Sequence, residues 1–225
     1  MTCNKLDNHF GKFISASFLC VLFQFLFVYD LWRALKGFLH NIYYRYLSSS
    51  NKNALKYLKN NEITLNIKIQ DARNAVSEAN TVYNYIFLDA FSPSKCPCLW
   101  TLEFFKLLYE RLDNNGMILT YSNASNVRNA FLQAGFFTGK IYNETNNKYI
   151  GTFAVKNKSL ITHELSEYDL GLLKTKAGII YRDENLNLSN ESIIENHVKE
   201  VNKSDLISSS KYIKQYKDTG GKNDI

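Results

Sequence analysis

Residues 85–101 read YIFLDAFSPSKCPCLWT, and this stretch decides the fold prediction. Its first four residues form a short apolar run, which is typical of a buried β-strand. Asp89 ends that run, and the loop after it contains Pro93 and Pro97, the two prolines of the chain. Proline prevents a strand or a helix from continuing, whereas residues 100–112 return to a helical period. A buried strand, a loop and an amphipathic helix in this order are typical of an α/β fold.

The same alternation extends in both directions from this stretch. Further helices are predicted at residues 31–38, 53–58 and 123–134, and Gly135 ends the last of them. Further strands are predicted at residues 42–47, 64–69, 117–121, 136–142 and 149–155, with a turn at residues 114–116. The last two strands are expected to form an antiparallel edge pair. The order predicts an α/β fold with a mostly parallel sheet that is covered on both faces.

Composition divides the 225 residues into three parts. Residues 1–30 form an atypical apolar segment, residues 31–156 a domain of strands and helices, and residues 157–225 a polar arm. In the arm, a short helix is predicted at residues 192–201 and disorder from residue 216 onward. With 45% hydrophobic and 14% aromatic residues, the chain has enough apolar material for a buried core. This composition excludes a fully disordered or a collagen-like protein.

The apolar stretch at residues 13–29 has two interpretations. It follows Lys5 and Lys12, which is the layout of a membrane anchor. A membrane-spanning helix needs about 20 apolar residues, and this stretch contains polar residues at Ser15, Ser17 and Gln24. We therefore favour a buried strand followed by a core helix and keep the membrane anchor as the alternative.

Charge and cysteine usage restrict the partners and the compartment. The chain carries 27 Lys and Arg against 21 Asp and Glu, a formal net charge of +6. This excess favours a polyanionic partner, although a basic protein without one has the same composition. The four cysteines show neither a disulfide framework nor C-x-x-C spacing, which indicates a reducing cytoplasm. Cys96 and Cys98 form only a C-x-C pair with no second pair of ligands, so we expect no metal site.

Asp71 and Asp89 are the candidate functional carboxylates, because each lies at the carboxyl end of a predicted strand. In α/β sheets, ligands bind in the crevice at those ends. Asp71 precedes a helical stretch, so it is equally well explained as a helix N-cap. Asp89 ends the most apolar strand and enters a loop with aromatic, proline and lysine residues. A carboxylate in that place can orient a nucleophile or hold a cation.

The sequence around Asp89 resembles a known family signature. Residues 85–101, followed by Phe104 and Phe105, match the pattern F-L-D-G/A-F-x-P-x-K-x-P-x-x-W-T of the MnmC-like tRNA methyltransferase family. The resemblance continues through GMILTYSNA at residues 116–124 and through Arg128 to residues 134–136. It covers residues 63–155 in one register.

The resemblance implies a class I, Rossmann-like methyltransferase fold that uses S-adenosylmethionine. The implied reaction methylates the aminomethyl group of a modified uridine at the tRNA wobble position, with 5-methylaminomethyl-2-thiouridine as the product. Asp89 is the implied catalytic residue, and Asp71, Ala72 and Asp89 are the implied cofactor contacts. The implied substrate-binding residues are Phe91, Pro93, Lys95, Trp100, Tyr121 and Lys148. Structural alternatives stay open for two of them, since Trp100 also suits the core and Lys95 a solvated loop.

Three parts of the family pattern are atypical in this chain. The glycine-rich loop that cradles the cofactor is missing, since the only glycines before Asp71 are Gly11 and Gly37. Serines at residues 48–50 stand where the family has an acidic residue. Lys148 is the only cation within residues 146–151, where a basic cluster is expected before the last strand. We therefore expect an altered or truncated N-terminal part, and no flavin-dependent oxidase domain as in bifunctional relatives. The alternative function is a catalytically impaired remnant that binds RNA or protein.

Overall fold

The computed structural model describes residues 20–23 and 70–220. The elements predicted at residues 31–38, 42–47, 53–58 and 64–69 lie outside these described residues, as does most of the apolar stretch at residues 13–29. The serines at residues 48–50 and the place expected for the glycine-rich loop also lie outside them. Among the described residues, no helix is both long and apolar enough to cross a membrane.

Strands and helices alternate through the first part of the described chain, as the sequence predicts. The strands are β1 (Cys20–Phe23), β2 (Tyr83–Leu88), β3 (Leu112–Thr120), β4 (Phe137–Asn143) and β5 (Lys148–Val155). The α-helices are α1 (Ala72–Ser77), α2 (Leu102–Arg111), α3 (Ser125–Gln133), α4 (Glu167–Leu173), α5 (Asn190–Lys203) and α6 (Ser209–Asp218). Short 3-10 turns lie at Pro97–Leu99, Lys158–Leu160 and Lys176–Gly178.

The five strands form one sheet in the order β1-β2-β3-β5-β4. β2 and β3 pair in parallel, with Ile86 opposite Ile118, while the pairs β1–β2, β3–β5 and β4–β5 are antiparallel. The predicted antiparallel edge pair is therefore confirmed as β4 and β5. Because β2 and β3 run in parallel, their carboxyl ends at Leu88 and Thr120 lie at the same end of the sheet. This is the end at which α/β folds place their ligands.

Helices α2 and α3 share one hydrophobic core with the central strands. Phe105 of α2 stacks on Phe131 of α3 with their ring centroids 4.0 Å apart, and both side chains are fully buried. Ile86 of β2 and Ile118 of β3 are fully buried in the same cluster. Burial of each such side chain contributes about 1.5–3 kcal/mol to stability. The core therefore holds the carboxyl ends of β2 and β3 in fixed positions.

The turn predicted at residues 114–116 is wrong, because these residues lie inside β3. The pairing of β2 with β3 shifts between Tyr83 opposite Leu112 and Tyr85 opposite Met117, so residues 113–116 bulge out of the register. Within the bulge, the backbone N–H of Asn115 donates to the Asp113 carboxylate over 2.9 Å. The turn-forming residues thus produce a local bulge, and pairing with β2 keeps the strand continuous around it.

Residues 158–220, called here the C-terminal segment, pack onto the domain through helices α4 and α5. Ile193 of α5 is fully buried in the main core. Disorder was expected from residue 216, and this is wrong for residues 216–218, which belong to α6. Tyr216 packs against Tyr168 of α4 with ring centroids 5.1 Å apart, and Ser208 caps the helix by accepting the N–H of Lys211. Aromatic packing from a distant helix orders a stretch whose own composition is polar.

Candidate functional site

The candidate site begins at residues 89–91, called here the β2 turn, where the chain leaves the sheet. Leu88 is the last strand residue and is buried, whereas Asp89 directly after it is exposed. Side chains of a strand alternate between its two faces, so the strand end delivers Asp89 to the surface beside the carboxyl end of β3. Ala90 is buried again and Phe91 is 50% exposed. The β2 turn therefore presents one carboxylate and one aromatic ring to solvent.

Two aromatic side chains hold the backbone of the β2 turn. The Tyr121 hydroxyl donates to the carbonyl oxygen of Ala90 over 2.5 Å. The Trp100 indole N–H donates to the carbonyl oxygen of Phe91 over 2.7 Å. The two clamping rings also meet edge to face, with centroids 6.2 Å apart. The turn is thus fixed from two sides by donors to its backbone carbonyl oxygens.

Besides holding the β2 turn, Tyr121 is 42% exposed, so part of its side chain is accessible from solvent. Burial, followed by the nearby Asp89 carboxylate and Cys96, raises the pKa of the Tyr121 hydroxyl above its ordinary value. The hydroxyl therefore keeps its proton at neutral pH and stays a donor. The hydrogen bond to Ala90, the residue directly after Asp89, places the Tyr121 hydroxyl beside Asp89 in the chain.

Trp100 is only 1% exposed, which favours the core alternative for this residue. Its ring also packs edge to face on Phe105, 6.4 Å away. Helix α2 begins at Leu102, two residues later than predicted, because the Thr101 hydroxyl caps it by accepting the N–H of Phe104. Trp100 is left in the loop, where its indole can hold the β2 turn from inside the protein.

The rest of the loop folds on itself before α2. The carbonyl oxygen of Ser92 accepts the N–H groups of Lys95 and Cys96 over 2.8 and 3.0 Å. Pro93 is half-buried in this turn, and Lys95 is exposed. Cys96 and Cys98 are both buried, with their sulfur atoms 3.5 Å apart. Within residues 70–220, no three His, Cys, Asp or Glu side chains come together as metal ligands would.

Asp71 is the N-cap of helix α1, and its carboxylate accepts the backbone N–H of Arg73 over 2.9 Å. The guanidinium of Arg73 also donates to both carboxylate oxygens, at distances between 2.7 and 3.2 Å. The Asp71 side chain is 28% exposed, and Ala72 behind it is buried. The capping interpretation of Asp71 is therefore correct, and the carboxylate keeps one accessible side.

Arg73 was not predicted as a site residue, and it links Asp71 to Asp183 and Leu188 of the C-terminal segment. Burial lowers the pKa of Arg73, but contacts with Asp71 and Asp183 and the nearby Cys98 outweigh burial. The pKa of Arg73 is therefore above its ordinary value. The backbone N–H of Cys98 donates to the Asn190 side chain, and Arg73 donates to the carbonyl oxygen of Leu188, two residues before Asn190. One loop therefore connects the surroundings of both predicted carboxylates.

Lys148 lies farther out, at the start of β5, where it pairs with Asn143 of β4 and is exposed. Thr152 of β5 is opposite Thr120, the last residue of β3, and the two strands are antiparallel. The residues before Thr152 therefore extend beyond the carboxyl end of β3. Lys148 consequently lies at the same end of the sheet as the β2 turn.

A buried ionic cluster, also missed in the sequence, supports the chain directly after Tyr121. Arg128 donates to Asp169 over 2.7 Å, to the Thr152 hydroxyl over 3.1 Å and to Asn123 over 3.0 Å. Lys140 completes the cluster at 3.0 Å from Asp169. Burial raises the pKa of Asp169, but Lys140 and Arg128 outweigh burial and hold this pKa below its ordinary value. Sequence patterns give no signal for this cluster, because its charges lie on separate elements.

A family model described as S-adenosyl-L-methionine-dependent methyltransferase matches residues 33–157, more than half of the chain. The chain belongs to this methyltransferase family. It has the α/β, Rossmann-like fold that the sequence predicts, and the region around Asp89 is of the MnmC type. Of the matched residues, 70–157 lie in the described part and contain β2, β3, β4 and β5.

Relatives of this methyltransferase come from archaea and bacteria. An uncharacterized protein of Methanocaldococcus jannaschii is 33% identical over 166 residues, which are 72% of this chain and 46% of that protein. The bifunctional protein MnmC of Pseudomonas entomophila, named for tRNA 5-methylaminomethyl-2-thiouridine biosynthesis, is 31% identical over 50% of this chain and 17% of its own. The crystal structure of MnmC2 from Aquifex aeolicus superimposes with a TM-score of 0.53 and 31% identity, covering 60% of this chain and 43% of that one. The match thus spans less than half the length of each relative.

The described side chains fit the cationic cofactor of this methyltransferase family. Asp89 offers an exposed carboxylate at a strand end, where it suits a positively charged sulfonium group. Asp71 keeps an accessible side, and Ala72 adds little bulk next to it.

Proposed function

We propose that the protein transfers a methyl group from S-adenosylmethionine to the aminomethyl group of a modified uridine at the tRNA wobble position. The product would be 5-methylaminomethyl-2-thiouridine. The observation that supports this proposal is the clamped β2 turn, in which the Asp89 carboxylate is exposed beside the rings of Phe91 and Tyr121. A carboxylate next to aromatic surface suits an amine carried by a planar base.

Asp89 is the proposed catalytic residue. Bound S-adenosylmethionine supplies an activated methyl group on a positively charged sulfur. The Asp89 carboxylate would accept a hydrogen bond from the substrate amine and so aim the nitrogen lone pair at that methyl group. Its negative charge would also stabilise the positive charge that grows on the nitrogen during transfer. Clamping by Tyr121 and Trp100 keeps the carboxylate in place without reorganisation at the moment of reaction.

The substrate base would lie against Phe91 and Tyr121, whose exposed rings offer stacking surface to an extruded nucleotide. Pro93 stiffens the loop beside them. Lys95 and Lys148 are exposed and would contact RNA phosphates, in keeping with the net charge of +6. Trp100 is buried, so we assign it to positioning the loop.

Asp71 and Ala72 are the proposed cofactor contacts on the other side of the loop. Asp71 would accept hydrogen bonds from the cofactor on its accessible side, while Arg73 keeps the carboxylate oriented. We propose the cytoplasm as the compartment, since the four cysteines of the sequence show neither a disulfide framework nor C-x-x-C spacing.

The test combines cofactor binding with methyl transfer. Calorimetric titration of S-adenosylmethionine into the purified protein measures the first. Transfer of labelled methyl groups to tRNA with an aminomethyl-2-thiouridine, compared with the same tRNA carrying unmodified uridine, measures the second. Methyl transfer to the modified tRNA, with none to the tRNA that carries unmodified uridine, would support the proposal. Tight tRNA binding that S-adenosylmethionine leaves unchanged, without methyl transfer, would contradict it and support a binding protein.

A further inference from the structure

Outside the β2 turn, the buried carboxylate of Asp183 connects two distant parts of the chain. Asp183 belongs to the C-terminal segment, beyond the residues 33–157 that the family model matches. Its side chain has no exposed surface. One carboxylate oxygen accepts the backbone N–H groups of Asn187 and Leu188 over 3.0 and 3.1 Å. The other lies 2.6 Å from a terminal nitrogen of Arg73, which is 110 residues away in the chain.

Arg73 divides its donors between Asp183 and Asp71. The terminal nitrogen that contacts Asp183 also donates to the carbonyl oxygen of Leu188 over 2.9 Å. The other terminal nitrogen and Nε are left to hold the Asp71 carboxylate. A guanidinium is planar and rigid, so fixing one edge in the C-terminal segment fixes the edge that faces Asp71.

The C-terminal segment itself is anchored beside this contact. The backbone N–H of Asp183 donates to the Glu103 carboxylate of α2 over 2.8 Å. The Asn190 side chain accepts the backbone N–H of Cys98, in the loop that leads from Asp89 to α2. Asp183 is therefore held in position by the same loop and helix that frame the β2 turn.

We propose that Asp183 is a positioning residue for the cofactor side of the site, acting through Arg73 on Asp71. This inference rests on the proposed function, because it assumes that Asp71 contacts S-adenosylmethionine. It extends the site into the C-terminal segment, which would make that segment necessary for cofactor affinity. The positioning role of Asp183 differs from a purely structural role in one respect: the effect of Asp183 on cofactor affinity must pass through Asp71.

The test is a double-mutant cycle on S-adenosylmethionine affinity with Asp183→Asn, Asp71→Asn and the combined variant. Asparagine keeps an oxygen for the N–H groups of Asn187 and Leu188 and removes the charge that faces Arg73. We expect Asp183→Asn to weaken cofactor binding about fivefold to tenfold, as for one misplaced charge-assisted hydrogen bond. In the Asp71→Asn background the same change should have almost no further effect.

Asp169→Asn is the matched control, because Asp169 is also a buried carboxylate of the C-terminal segment that pairs with an arginine, here Arg128. It should lower thermal stability while leaving cofactor affinity within twofold of the unaltered protein. Should Asp183→Asn fail to fold, Arg73→Lys replaces it, since lysine cannot hold both carboxylates with one rigid group and is expected to weaken cofactor binding likewise.

Additive effects of Asp71→Asn and Asp183→Asn, or an equal affinity loss in Asp169→Asn, would overturn the positioning role. In the Arg73→Lys version, unchanged cofactor affinity would do the same. If the unaltered protein binds no S-adenosylmethionine, the proposed function fails first and this inference fails with it. Binding by the unaltered protein together with an additive cycle overturns the inference alone.

Discussion

The β2 turn and the junction with the C-terminal segment are stabilised in opposite ways. At the β2 turn, neutral donors from Tyr121 and Trp100 hold two backbone carbonyls, and the Asp89 carboxylate faces solvent. At the junction, the pairs Arg73–Asp183 and Arg128–Asp169 hold charge against charge inside the protein. Under the proposed function, this difference separates two tasks: the turn presents a charge for chemistry, and the junction uses charges to hold separate elements together.

Asp89→Asn should have the largest effect on activity and the smallest effect on stability. Loss of the carboxylate should reduce methyl transfer about 100-fold or more, the usual size for a positioned acid–base group. Thermal unfolding should stay near that of the unaltered protein, because an exposed carboxylate is replaced by an amide of the same shape. Single-turnover transfer to modified tRNA measures the activity. Asp205→Asn, at an exposed carboxylate of the C-terminal segment, is the control.

An Asp89→Asn or Asp89→Ala variant with methyl transfer within twofold of the unaltered protein would remove Asp89 from catalysis. A large loss of stability would mean that the turn and the junction do not divide the two tasks as described.

Arg128→Met should have the largest effect on stability. The change removes one of the two cations that pair with the buried Asp169 and leaves Lys140 at 3.0 Å. Removing one partner of a buried ion pair costs about 3–5 kcal/mol. Arg182→Met is the matched control, since Arg182 is 48% exposed, and its partner Glu103, which is 12% exposed, keeps the backbone N–H of Asp183 as a donor. That change should cost at most about 1 kcal/mol. Urea unfolding followed by circular dichroism measures both, and equal losses would contradict the distinction.

Trp100→Phe should destabilise the β2 turn by a smaller amount. The change removes the donor to the carbonyl oxygen of Phe91 and leaves a small cavity, at a cost of about 1–3 kcal/mol. Methyl transfer should fall with it, because the turn loses one of its two clamps. Tyr121→Phe removes the other clamp while keeping the ring, so it separates clamping from stacking. If Trp100→Phe lowers stability and leaves methyl transfer unchanged, Trp100 is a core residue and does not position Asp89.

The smallest expected effect is on acid stability at the junction. The pKa of Asp169 is lower in the folded protein than its ordinary value of 3.8. Its ion pairs therefore stabilise the protein above about pH 4, and this contribution is lost as the pH falls through the lower, folded value. The free energy of unfolding of the unaltered protein should fall more steeply below pH 4 than that of Asp169→Asn. Parallel pH profiles from urea titrations would show that Asp169 does not contribute.

Sequence patterns predicted those elements whose signals are local. Residues 85–88 are an apolar run and form the end of β2, and the helix predicted to stop at Gly135 does so, with Gly135 at a φ of +100°. The same kind of signal misled at residues 114–116, where turn-forming residues lie in a bulge within β3, between Leu112 and Met117, which both pair with β2. It also misled at residues 216–218, where packing on Tyr168 supplies order that polar composition does not suggest.

The candidate site likewise has parts that local sequence signals predicted and parts that they did not. The sequence by itself determined the family, the strand that ends at Asp89 and the loop that follows it, because apolar runs, prolines and the motif around Asp89 are read within about twenty residues. Only the tertiary structure decided that Trp100 and Tyr121 clamp the β2 turn, and that Asp183 reaches Arg73 across 110 residues. Hydrogen bonds and ion pairs depend on distances of about 3 Å, and only the folded chain brings separate elements that close.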